Sequence, residues 1–111
     1  MKGGMSGLLK QAAKMQENMA KAQEELSGMT TEGTAGGGMV KVIANGRQEI
    51  ISIKIEPEVV NSDDVEMLED LVTAAVNQAL EKAGDMAKSH MEKIAGGLTS
   101  MLPSGFKLPG L

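Results

Sequence analysis

The sequence predicts an α+β protomer of order α-β-β-β-α, two long helices flanking a small three-stranded antiparallel sheet. Three observations carry this reading. A heptad-spaced apolar seam runs from Met5 to Met29, two β-rich runs bracket Asn45-Gly46, and a second helical stripe follows Pro57.

The first seam is Met5, Leu8, Ala12, Met15, Met19, Ala22, Leu26 and Met29, in alternating steps of three and four. That spacing keeps one helix face apolar and is the pattern of a coiled-coil seam. Lys, Gln and Glu fill the other faces, and Glu17 to Lys21 is a favourable i,i+4 pair. Ser6 is the expected cap and Gly28 the expected stop. Residues 30–38, TTEGTAGGG, read as a short strand and then a turn. Met39–Ala44 and Glu49–Glu56 form a hairpin around Asn45-Gly46, with a loop of two or four residues. Strand parity puts Val40, Val42, Ile51, Ile53 and Ile55 on the core face. The opposite face carries Met39, Ile43 and Ile50 beside Lys41, Ser52 and Lys54, apolar enough to expect a second cover.

Pro57 stops the last strand, and Asn61 or Ser62 is the expected cap of a helix from about Asp63 to Ala95. Its stripe is Leu68, Val72, Ala75, Ala79, Ala83, Met86, His90 and Ile94, widened in the first half by Val65, Leu71, Val76 and Leu80. Residues 1–95 are expected to form one domain and residues 96–111, with two Pro turns and Gly nearby, a docking or mobile tail.

A chain of 111 residues makes one small domain. With one Phe, no Tyr, no Trp and ten Met, its core lacks the usual large anchors and gains from a partner subunit. No cysteine means no disulfide, iron–sulfur or thiolate metal site. No apolar run approaches a membrane span and no signal-peptide core opens the chain, so it reads as soluble and cytoplasmic, with no membrane partner.

The net charge of −4 argues against a uniformly basic module. The distribution is uneven. Residues 1–16 hold Lys2, Lys10 and Lys14 and no acid, whereas residues 56–70 hold seven acids and no base. A 30-residue helix is about 45 Å long against about 20 Å for a six-residue strand, so both helices outrun the sheet. If they pack antiparallel, the excess forms an arm with an acidic base, its distal tip gathering Lys2, Lys10, Lys14, Lys88, Lys93 and His90.

Several chemistries are excluded. GTAGGG is followed by Met39-Val40-Lys41-Val42, a strand, so it is no phosphate-binding loop. His90 is the only His and has no Cys partner; a packing or tip role outweighs metal ligation. The acids of 56–70 lack the alternation and central Gly of a calcium loop and suit a helix N-terminus. No nucleophile–base–orienter set assembles. The expectation is no enzyme, cofactor, metal or small-molecule substrate.

The residues in sequence resemble the YbaB/EbfC family of bacterial nucleoid-associated proteins. The matching pieces are MKGGMSGLLKQAAKMQENMAKAQEEL, GGGMVKV, the NG hairpin, IEPEVV, EMLEDLVTAAVNQAL and PSGFKLPGL, in family order across nearly the whole chain. The resemblance implies a protomer that dimerises through its sheet region into a tweezer-like homodimer, binding DNA at the nucleoid. It transfers no fixed contact residues. The arm geometry selects Lys2, Lys10, Lys14, Lys21, Lys88 and Lys93 as DNA-binding candidates; the segment EKAGDMAKSHMEK, where acids balance bases, leaves the first helix as the main contributor. The expected partner is duplex DNA, held through phosphates and without base readout. The rival reading is a protein-interaction adaptor for DNA repair or replication proteins, with incidental DNA binding.

Overall fold

The computed structural model describes residues 2–100. The chain forms α1 (Lys2–Gly28), β1 (Thr30–Ala35), a 3-10 turn (Gly36–Gly38), β2 (Val40–Asn45), β3 (Ile50–Ile55), a second 3-10 turn (Pro57–Val59) and α2 (Val65–Ser100). The sheet is antiparallel in the order β1-β2-β3. This is the predicted α+β architecture. α2 runs past its expected end at Ala95, and residues 101–111 of the expected tail lie outside the described residues.

α1 ends at Gly28 as its sequence suggests, but it starts before Ser6, which is therefore not its cap. Gly36, Gly37 and Gly38 all take positive φ, at 63°, 67° and 95°, a run that only glycine adopts without strain. The cap of α2 is Asp64, not Asn61 or Ser62: its Oδ1 accepts the Met67 amide at 3.1 Å. Asn61 instead accepts the Asp63 amide at 2.9 Å, turning the chain just ahead of the helix.

α2 lies across β1 and β2. Gly33 makes the crossing close: a Cβ there would overlap the Ala75 carbonyl oxygen and the Ala79 amide nitrogen. The small residues Ala75, Ala79 and Ala83 settle onto Val40, Val42 and Ala44, all fully buried, with Val59 closing one end. Met39, placed on the opposite face by parity, packs against this core instead, because it precedes the strand proper.

β3 departs from expectation. Ile53 and Ile55 sit opposite Val42 and Val40, on the face predicted for them. They are nevertheless 44% and 38% exposed, and Ile51, beside a register irregularity, is 56% exposed. The physical reason is the path of α2, which stays over β1 and β2 and leaves the β3 isoleucines uncovered. Val65, expected to widen the α2 stripe, is 52% exposed, because it lies at the first helical position and ahead of the sheet.

The two sheet edges also differ. At β1 the Thr34 amide donates to Gln78 Oε1 at 2.7 Å, and the Glu32 carbonyl accepts from Lys82 Nζ at 3.1 Å. Side chains of α2 thus pair with two backbone groups of that edge. No described residue does the same for the free edge of β3.

Candidate nucleic-acid interface

The candidate interface is the arm formed by α1, and its root is built by the hairpin. Asn45 and Gly46 form the close of α1 as much as a turn. The Gly46 amide donates to the Leu26 and Met29 carbonyls, both at 2.9 Å, which fills orphan acceptors at the helix end. Asn45 Nδ2 reaches the Ser27 carbonyl at 3.3 Å and Glu49 Oε1 at 2.9 Å, while its Oδ1 accepts the amides of Arg47 and Glu49. Asn45 is buried with its polar atoms satisfied. The positive φ of this loop belongs to Gln48, at 58°, not to Gly46. The Gln48 amide bonds back to the Asn45 carbonyl, and its side chain reaches the Leu80 carbonyl at 3.2 Å. Ala22 and Leu26 are buried at this junction, so α1 leaves the body in one direction.

α2 passes the same root and meets α1 there. Along α2, Leu71 lies against Gly36, Ala75 and Ala79 against Gly33, and Lys82 against Glu32. α2 therefore runs antiparallel to β1 and on towards α1. His90 Nε2 and Glu25 Oε2 then join the helices at 2.8 Å. The acids at the start of α2 lie at the opposite pole from α1, near the far end of β1. The charge segregation of the sequence is a polarity of the molecule.

Every residue from Gly4 to Glu17 is exposed, a length of about 21 Å of bare helix. Lys10 and Lys14 lie one turn apart on the face away from the Met–Leu seam. Among the described residues neither has an ion-pair partner. Lys21 continues that face but pairs with Glu17 at 3.7 Å, the i,i+4 contact expected from the sequence. Lys2 begins α1; its side chain lies outside the described residues.

The candidate lysines whose side chains are described do not meet at one tip. Taking the Glu25–His90 contact as common level, Lys14 stands about 16 Å outward and Lys93 only about 4 Å. Lys88 falls on the body side of that level. Lys88 and Lys93 are thus exposed at the root of the arm, with Asp85 and Glu92 close in sequence, and Lys10 and Lys14 stand well beyond them. The expected single cluster assumed that both helices end together, whereas α1 extends further than the described residues of α2. The sheet adds cations that the arm reasoning left aside: Lys41 and Lys54 are cross-strand neighbours, both exposed. Their non-core parity was the signal that could have found them. No helix among the described residues is long and apolar enough to cross a membrane.

The sequence profile of the YbaB/EbfC DNA-binding family matches residues 1–98. The chain belongs to this family. A nucleoid-associated protein of Caldanaerobacter subterraneus subsp. tengcongensis is 56% identical over 116 residues, covering 99% of this chain and 97% of that one. A nucleoid-associated protein of Bacillus thuringiensis is 54% identical over 103 residues, covering 93% of each. A crystal structure of an uncharacterized protein from Helicobacter pylori superposes with a TM-score of 0.52 at 22% identity, over 82% of this chain and 98% of that one, a likeness of fold alone.

Proposed function

We propose that this protein is a non-catalytic, nucleoid-associated protein of the cytoplasm that binds duplex DNA as a homodimer, with little sequence preference. The observation that carries this reading is the outer half of α1: exposed, free of acids through residue 16, and bearing Lys10 and Lys14 without ion-pair partners among the described residues. Lysine ammonium groups neutralise phosphates and release counterions, and this term is blind to base sequence. Lys2 and Lys21 extend the same contact, and Lys88 and Lys93 supply a weaker one at the root. With Phe106 the sole aromatic residue, stacking on unpaired bases contributes little, which favours duplex over single strands. The free edge of β3 and its uncovered isoleucines support pairing of two copies through the sheet, each copy contributing one arm.

A salt titration of binding to random duplex tests the reading. Log affinity is expected to fall linearly with log salt, and Lys10→Ala with Lys14→Ala to make the slope shallower by roughly 0.9 for each phosphate no longer neutralised. The variants keep the wild-type mass in sedimentation. An unchanged slope removes both lysines from the interface. Retained association with repair or replication proteins, together with a flat salt response, turns the assignment to the adaptor reading.

A further inference from the structure

The outer half of α1 also carries an apolar seam on which no described residue packs. Met5 and Leu8 are 69% and 66% exposed, Met15 is 46% exposed, and Ala12 between them is open as well. The inner half of the same seam is buried: Ala22 and Leu26 close the junction of the arm with the body. The outer seam therefore prolongs an existing interface past its intramolecular partner. From the Glu25–His90 contact, Ser100 of α2 comes level with about Met15, so Met5 to Ala12 extend further still.

Steps of three and four ask for a helix as the occupant. The sequence of residues 101–111, interrupted by Pro103 and Pro109, carries no heptad seam of its own. We propose that the outer seam of α1 pairs antiparallel with the same seam of a second copy, joining copies tip to tip. The seam is self-complementary in that sense. Met5 stacks against Met15 of the second copy and Leu8, large against small, against its Ala12; the same two layers then repeat in reverse. The contact is two-fold and closed.

Charge points to the same occupant. Residues flanking a heptad seam select the partner helix. Here they are Leu9, Gln11, Gln16 and Asn18, all uncharged, so a second copy meets no repulsion and a charged foreign helix finds no complement. Lys10 and Lys14 stay on the far face, exposed. The proposal is independent of the DNA reading, and its test contains no DNA.

Sedimentation equilibrium of the full chain over micromolar to near-millimolar concentration reads the contact. The average mass is expected to climb with concentration beyond the step set by the sheet, and Leu8→Glu and Met15→Glu to remove that climb and return the mass to that step. Circular dichroism stays unchanged, since both positions are exposed. A wild type with no such climb, or glutamate variants that assemble as wild type does, overturns the proposal. The chain has no cysteine, so a mixture of Leu8→Cys and Ala12→Cys proteins, oxidised with glutathione disulfide, reads the register. Mixed disulfides are expected to exceed either homodisulfide several-fold. Predominant 8-to-8 disulfides, or none, overturn the antiparallel pairing.

Discussion

A side chain at position 33 has no room, because the three atoms that it would strike all belong to the α2 backbone. None can swing aside as a flexible side chain would. Gly33→Ala is therefore expected to cost ~3 kcal/mol, the upper end of overpacking penalties, seen as a lower urea midpoint with an unchanged slope. Gly46→Ala is milder, since its Cβ would lie 2.8 Å from both the Leu26 carbonyl and a Leu26 methyl, a shallower overlap than at position 33. It is expected to cost about 1–2 kcal/mol in the same assay. Both requirements were only half legible. Asn45-Gly46 marked the hairpin, but the usual reason for that pair is positive φ, and here Gln48 takes it. Gly33 looked like part of a glycine-rich turn. What demands it is a helix forty residues downstream, which no local pattern reveals.

At the scale of elements, β2 and β3 hold Lys41 directly opposite Lys54 on the face away from α2. Like charges so placed destabilise a sheet. Lys54→Thr removes the repulsion and introduces a residue that suits strands. It is expected to stabilise by about 0.2–1 kcal/mol, read as a small rise in melting temperature. The helices and strands themselves were readable, because seam, hairpin and stripe are short-range patterns. Cover was not readable. Alternation identified the face on which Ile53 and Ile55 lie, but whether a helix reaches them depends on the line α2 takes. That line is set by Gly33 and by the alanines that fit it. The α2 cap was missed by two or three residues, because Asn61, Ser62, Asp63 and Asp64 all have suitable side chains.

For the whole molecule, the uncovered β3 isoleucines yield a separate prediction. Ile53→Glu places a carboxylate on a surface already 44% exposed, so the protomer is expected to fold with little loss. Association through the sheet is expected to fail, halving the mass seen by light scattering at low micromolar concentration. DNA affinity then drops, as two tethered arms become one. The arm lysines of α1 were legible because an acid-free run of sixteen residues is visible in sequence. The position of Lys88 and Lys93 was not, because it depends on where the two helices cross, a level marked by Glu25 and His90, which are far apart in the chain.

The bonding of Gln78 and Lys82 to the backbone of β1 has a consequence for aggregation. A sheet with two bare margins is a template for endless addition, and among the described residues the β1 margin here is partly occupied by α2 side chains. A copy that joins at β3 brings its own partly occupied margin to the far side. The composite then presents an obstructed strand at either side, which disfavours strand-by-strand growth into a fibre.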